Sequence, residues 1–257
     1  MTSALDLTLN TLASSVRGWR GSSSFRPASA PPAIPLRLYD IENCPYCRLV
    51  REVLSELDLD VMILPCPKQG QRYREEARAL CGRTQFPLLV DDNTGATLLE
   101  SADIIRYLRQ TYGHGGGDGL IRRALDRATA PLATALQWRP GRGLTGMRAQ
   151  PGRTPGRPLT LFSFEASPYS RPVRARLCEL ELPYLLRNTA KATWTDMGPP
   201  QIRDRLFKAE KATSRNRRWL AEHTGKVQVP YLIDPNTDTA LYESRAILRY
   251  LDQTYAH

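Results

Sequence analysis

Along residues 36–41, "LRLYDI", apolar and polar positions alternate with the two-residue period of a half-buried strand. From Pro45 to Leu57 the period lengthens to that of a helix, with Leu49, Val50, Val53, Leu54 and Leu57 on one face. "DVMILPC" (60–66) reads as a second strand and "RYREEARALC" (72–81) as a second helix. "PLLVDD" and "ATLLE" flank the turn signal Asn93-Thr94-Gly95 and predict a hairpin. Ser101 is expected as the N-cap of a last helix, "ADIIRYLRQTY". The predicted order is βαβ, then α, then ββα. Two parallel strands would join an antiparallel hairpin in one mixed sheet, with helices on its faces.

The same pattern is written twice. Cys44-Pro45-Tyr46-Cys47 aligns with Ser167-Pro168-Tyr169-Ser170 at an offset of 123, and residues 86–114 align with 229–257 at an offset of 143. The 20 additional residues of the second copy fall between about Asn188 and Lys226. The chain therefore divides into an N-terminal extension (1–34), a first unit (35–114), a helical and Gly/Pro/Arg-rich linker (115–158) and a second unit (159–257). In the linker, 119–138 has helical spacing broken near Pro131. Residues 139–158 hold nine Gly or Pro and five Arg, which suits an extended or mobile connection. The basic stretch 201–220 in the insertion is read as a helix. In the extension, Leu5, Leu9, Leu12, Val16 and Trp19 stand at helical spacing ahead of a Ser, Arg and Pro-rich stretch. Two structural readings follow, a short amphipathic helix packed on the body or one touching a membrane surface. An organelle transit peptide is the third.

A chain of 257 residues is long enough for two compact domains, and 41% hydrophobic with 24% charged residues describes a globular protein. No apolar run approaches the length of a bilayer-spanning helix, and the amino terminus lacks the pattern of a secretory signal. The net charge of +10 lies away from the C-x-x-C: residues 35–114 carry ten basic against twelve acidic side chains, whereas 115–158 carry eight against two. With no aromatic platform or recognisable nucleic-acid fold, no nucleic-acid partner is expected. Five cysteines, two of them in a C-x-x-C, point to a reducing compartment. The expected location is the bacterial cytoplasm, with an organelle stroma as the alternative.

Cys44 precedes Pro45, a residue favoured at the first helical position, so its sulfur is expected against the unpaired amides of a helix start. Thiols so placed have pKa values lowered from about 8.5 to roughly 3.5–7.5. Cys47 lies one turn on, within the ~5–6 Å separation of i and i+3 positions that suits a disulfide. Cys44 is the expected nucleophile and Cys47 the resolving thiol. A zinc site would need two further ligands. Cys66, Cys81 and the histidines at 114, 223 and 257 show no paired spacing, so no metal is expected. Cys66, Cys81 and Cys178 are read as buried structural thiols.

With Cys44-Pro45-Tyr46-Cys47 opening the first helix, Gln85-Phe86-Pro87 opening the third strand and Glu100-Ser101 opening the last helix, the chain resembles the thioredoxin superfamily. More closely it resembles the N-terminal domain of glutathione S-transferases, since "LLESADIIRYL" replaces the Gly-Gly turn usual in glutaredoxins. The likeness covers 36–114 and 159–257. It implies an α/β fold of two tandem thioredoxin-like domains, with no all-helical transferase C-terminal domain after either. It also implies that Phe86-Pro87 and Val229-Pro230 form cis-proline junctions whose backbone pairs with the cysteinyl part of glutathione. Ser101, with Glu100, would take the γ-glutamyl carboxylate, and Tyr46 would line the same site. Lys68, Arg72 and Arg74 either hold the glycyl carboxylate or form a solvated helix face. In the second unit Ser167, Val229, Pro230, Glu243 and Ser244 would make a glutathione pocket without thiols, and Pro172 is expected to shift or kink the helix start.

The function so implied is a glutathione-dependent thiol–disulfide oxidoreductase or glutathione transferase-like protein. Its first unit would be redox active and its second degenerate. Glutathione is then co-substrate, and the partners are a disulfide or a glutathionylated substrate. The second unit has three open roles: a pocket without redox chemistry, a docking module, or an intramolecular partner that covers the first. The rival reading is a non-catalytic glutathione- or partner-binding scaffold. A third, an isomerase or synthase on a hydrophobic substrate, rests on the C-P-aromatic-C motif, which resembles that of membrane-associated prostaglandin E synthase.

Overall fold

The computed structural model describes residues 4–115, 120–139, 143–150, 152–197 and 211–256. In the first unit β1 (Leu36–Asp40), α2 (Pro45–Glu56), β2 (Val61–Pro65), α3 (Arg74–Cys81), β3 (Leu88–Asp91), β4 (Ala96–Leu99) and α4 (Ser101–Thr111) follow in the predicted order. The second unit repeats it with β7 (Leu159–Ser163), α6 (Arg171–Glu179), β8 (Tyr184–Asn188), α7 (Arg215–Thr224), β9 (Tyr231–Asp234), β10 (Thr239–Tyr242) and α8 (Ser244–Tyr255). In each unit the first two strands are parallel and the hairpin is antiparallel. Residues 201–210 of the helix expected in the insertion lie outside the described residues, and α7 forms its C-terminal part.

The two four-stranded sheets join into one of eight strands, ordered β10-β9-β7-β8-β2-β1-β3-β4. The junction pairs β2 and β8 antiparallel, with Val61 opposite Leu186, Met62 opposite Leu185 and Ile63 opposite Tyr184. Met62 and Leu185 are equivalent positions of the repeat, so the units meet through the same strand of each, as the two halves of an isologous dimer do. One face of this sheet carries a core continuous across the junction, from Leu36, Val53 and Ile104 to Leu161, Leu177 and Leu251. The opposite face carries two separate smaller clusters, one around Ala77 of α3 and one around Leu220 of α7.

Charge is buried at the same junction. Arg51 of α2 and Arg174 of α6 are equivalent positions, as are Glu42 and Glu165, and each arginine reaches across to the other unit's glutamate. Arg51 Nε lies 2.9 Å from Glu165 Oε2, and Arg174 Nη2 lies 3.1 Å from Glu42 Oε1. Arg51 also pairs with Asp40 at 2.6 Å. At the equivalent place Arg174 donates to the Ser163 hydroxyl at 2.9 Å. All six side chains are buried. Isolated ions here would each lose several kcal/mol of hydration, so the cluster holds only because each charge has partners in place.

The segments flanking the units repeat as well. α1 (Ala4–Val16) packs against α5 (Leu120–Ala135), which keeps Pro131 inside it. Beyond each helix the chain crosses the junction: a Cβ on Gly21 would lie 2.9 Å from Glu165 Cβ, and one on Gly146 would lie 3.1 Å from Glu42 Cβ. Further along, Ser23 bridges to Lys191 and Arg148 to Lys68, which are again equivalent residues. Residues 139–158 were expected to be an extended or mobile connection; the short strands β5 (Trp138–Arg139) and β6 (Gly143–Leu144) pair at its start, and the rest of its described part lies along the units. The α1 stripe departs from expectation too. Asn10, Ala13, Ser14 and Arg17 face inward while Leu5 and Leu12 are exposed. The inner wall it meets is polar: Arg171 donates to the Asn10 carbonyl, and the Ser14 hydroxyl donates to the Ala166 carbonyl.

Burial pushes the Glu165 carboxyl up, but Arg174 and Arg51 outweigh it and hold it at about 2, below the ordinary 4.5. A carboxyl depressed on folding contributes stability above its unfolded pKa and loses it as pH falls toward the folded value. Stability measured by urea unfolding is therefore expected to fall between pH 4.5 and about 2. At neutral pH, Glu165→Ala is expected to cost ~3–5 kcal/mol, because two buried guanidinium groups lose a carboxylate.

Candidate functional site

Tyr39 pairs with Leu88 and Leu88 with Leu99, so the C-terminal ends of β1 and β4 and the N-terminal end of β3 lie at one edge of the sheet. That edge brings together the Cys44 turn, Phe86-Pro87 and Glu100-Ser101. Cys44 is the N-cap of α2 in extended backbone, with Pro45 in the first turn, and is half-buried. Cys47 is fully buried and Tyr46 is 60% exposed. Cys44, Phe86 and Leu99 pack against one cluster of Tyr39, Ile41, Cys47 and Leu88.

The Cys44 thiol is lowered from 9.0 to about 7. The largest cause is the Cys47 thiol, which donates to it. Burial opposes this, and the backbone amides of Cys47 and Tyr46 add to the lowering. Burial pushes Cys47 well up, and its hydrogen bond to Cys44 pushes it further, so it remains a thiol. A sulfur of pKa near 7 is roughly half thiolate at neutral pH. The helix amides alone were the anticipated cause; the neighbouring thiol is the stronger one.

The Phe86–Pro87 and Val229–Pro230 bonds are both cis. Glu100 and Glu243 both have φ of 68°, in the left-handed region that non-glycine residues seldom occupy, and each accepts from a glutamine, Gln85 or Gln228. Ser101 is not the N-cap: Glu100 takes that position, α4 begins at Ser101, and no side chain caps the helix. The left-handed turn at Glu100 sets the boundary one residue earlier. Uncapped amides at a helix start are suited to a carboxylate, so these residues fit the glutathione that the resemblance implies.

The basic residues after β2 divide. Lys68 is exposed, and its backbone pairs with Met147 and Ala149. Arg74 donates to the Cys66 and Pro67 carbonyls and stacks 5.1 Å over the Phe86 ring. Arg72 is turned away from the site, donating to the carbonyls of Leu180 and Glu181 in the second unit. Cys66 and Cys178 are buried; Cys81, expected to be so, is half-buried in the last turn of α3. Among the described residues no group of three or more His, Cys, Asp or Glu is placed to hold a metal ion.

In the second unit α6 starts at Arg171, three residues later than the counterpart of Pro45, with Pro172 in its first turn. Proline there has no N–H to place in the ladder, so the helix begins around it. Ser167 and Ser170 are buried, and the Ser170 hydroxyl donates to that of Ser167 at 2.9 Å. In front of Ser167 opens a cavity of about 850 Å³ whose lining includes Val229, Pro230, Glu243 and Ser244.

The glutathione S-transferase N-terminal domain family matches residues 38–116 and again 161–257. The chain belongs to that family. No curated protein matches it. Among solved structures it is similar to the trimeric glutathione transferase TDR1 of Leishmania, at 14% identity and a TM-score of 0.30, over 88% of this chain and 68% of that one.

The family pattern locates the cysteines, the prolines and the Glu-Ser pairs, but Trp19, Ser22, Lys191, Met197, Lys211 and Arg217 also line the second cavity. Their one signal in the sequence is faint: the Trp19-Arg20 pair ahead of the first unit has a counterpart, Trp138-Arg139, ahead of the second. Among the described residues no helix is long and apolar enough to cross a membrane.

Alkylation of Cys44 by iodoacetamide, followed against pH, is expected to titrate with a midpoint near 7, and Cys47→Ala is expected to move that midpoint up toward 9.0. An unchanged midpoint in the variant would show that the helix amides alone hold the thiolate.

Proposed function

We propose that the chain is a glutathione-dependent thiol–disulfide oxidoreductase, with its redox centre in the first unit and a thiol-free glutathione site in the second. The observation that carries this reading is the Cys44 sulfur: half-buried at a helix start, lowered to about 7, beside a buried cysteine that stays protonated. A scaffold has no use for such a group.

The Cys44 thiolate attacks one sulfur of a disulfide or glutathionylated substrate, forming a new S–S bond as the old one breaks. The released thiolate takes a proton from solvent. A glutathione thiol then attacks the sulfur bound to Cys44 and frees the Cys44 thiol, or Cys47 attacks the Cys44 sulfur, releasing the bound thiol and leaving a Cys44–Cys47 disulfide that two glutathiones reduce. Two thiols are oxidised for each disulfide reduced, and glutathione supplies them. The backbone beside Pro87 and the start of α4 at Ser101 orient the tripeptide. Asp40, whose charge works against the Cys44 thiolate, is neutralised by Arg51 at 2.6 Å.

The second unit is assigned binding without redox chemistry, supported by serines at both thiol positions whose hydroxyls bond each other. Glutathione-dependent reduction of a small disulfide is expected to fall to background in Cys44→Ser. In Cys47→Ser it should fall by no more than about tenfold, since a second glutathione can resolve the intermediate. Equal activity in the wild type and Cys44→Ser would overturn the proposal.

A further inference from the structure

The two helices that flank the first unit are turned inside out. A helix lying on a globular body ordinarily buries its apolar stripe and exposes its polar one. Among the described residues of α5 the exposed positions are Ala124, Leu125, Ala128, Pro131, Leu132 and Ala135, an apolar row at helical spacing. Trp138, just beyond the helix, continues the row at 57% exposure. The inward positions hold Asp126, Thr134 and Gln137 beside Ala130 and Ala133. α1 is built the same way, with Asn10, Ser14 and Arg17 inward and Leu5 and Leu12 outward. At an offset of 120, Leu5 matches Leu125, Leu12 matches Leu132, Ser14 matches Thr134 and Arg17 matches Gln137. The inversion is therefore present in both copies of the flanking helix.

The two helices pack against each other, so their outward leucines belong to one layer. That layer is also strongly basic. Residues 1–20 and 119–142 together hold seven arginines and two acidic residues, Asp6 and Asp126. Both acids are already taken: Asp126 pairs with Arg17 at 2.9 Å and with Arg20, and Asp6 pairs with Arg139 at 2.6 Å. A contiguous apolar surface turned to water marks a place where something else binds, and the charge decides what. A second copy of this chain docked through the same face would bring two sets of arginines together. An anionic lipid surface suits the leucines and the positive charge at once.

We propose that the outer faces of α1 and α5 lie on an anionic membrane, with Leu5, Leu12, Leu125 and Leu132 entering the acyl-chain boundary and Trp138 at the level of the headgroups. The two helices rest in the plane of the surface, and the units they flank stay in water. Burial of the four leucines supplies the apolar part of the attachment, and the arginines of the layer supply the electrostatic part. The attachment does not depend on the chemistry at Cys44.

Cosedimentation of the full chain with phosphatidylcholine vesicles, with and without about 30% phosphatidylglycerol, tests it. The chain is expected to bind the anionic vesicles at least roughly tenfold more tightly, and added salt is expected to weaken that binding. Replacing Leu125→Gln together with Leu132→Gln removes apolar surface without changing charge. It should weaken binding to the anionic vesicles by at least roughly tenfold. The thermal midpoint should stay where it is, because both side chains are exposed. Leu5→Gln with Leu12→Gln should act in the same direction. Equal binding by the wild type and both double variants would mean that charge alone attracts the chain, and would overturn the proposal. Failure to bind either vesicle would overturn it as well. So would a dimer found by sedimentation velocity that Leu125→Gln with Leu132→Gln dissociates while neither protein binds lipid, since the face would then belong to a second copy.

Discussion

The crossed pairs Arg51–Glu165 and Arg174–Glu42 govern how the rest of the molecule is arranged. Each carboxylate belongs to the turn that leads into its own unit's site, and each is held by the partner unit's helix. Glu42 stands two residues before Cys44, and Glu165 two residues before Ser167. The position of each turn is thus set by a guanidinium from the other side of the junction. A buried ion can be tolerated only where its partners are in place, and separating the units would take Glu165 from Arg51 and Glu42 from Arg174. The central pairing of β2 with β8 and the continuous core beneath it share that constraint.

Most of the unit architecture was legible because local and global preferences agree in it. Strand alternation at 36–41, the apolar face of 45–57 and the Asn-Thr-Gly turn each specify an element without reference to anything distant. The order of the two cysteines and Pro45 likewise announces a helix start. What could not be read was every feature that depends on the second copy being present. Arg51 and Arg174 look like ordinary surface charges on amphipathic helices, and only the junction explains their burial. Arg72, which follows β2, reads equally as a carboxylate-holding residue or as part of a solvated helix face, yet its guanidinium meets the carbonyls of Leu180 and Glu181 across the junction. The α1 stripe misled for the same reason. Leucines at helical spacing ordinarily turn inward, but the surface available to this helix presents Arg171 and the Ala166 carbonyl, which favour Asn10 and Ser14.

The two sites set different side chains on one backbone arrangement. Both keep a cis proline, a glutamate at φ 68° and a helix beginning at serine. They differ where the sulfur would stand. In the first unit Cys47 stabilises the Cys44 thiolate by donating a hydrogen bond. In the second, Ser170 donates to Ser167, whose hydroxyl remains protonated at neutral pH. Residues 168–170 form a turn ahead of α6, which carries Pro172 in its first turn, while the Arg171 amide still donates to the Ser167 carbonyl as the Arg48 amide does to that of Cys44. The second unit therefore departs from the first in its backbone as well as in its side chains.

Met62 lies opposite Leu185 on the pseudo-two-fold of the β2–β8 junction, a geometry that separate chains would reach only by associating. Joined covalently, the halves meet at an effective concentration fixed by the connector, so dilution does not dissociate them. Covalent linkage also frees each half to diverge: a self-pairing homodimer must carry any substitution twice, whereas here one half can keep its thiols while the other discards them.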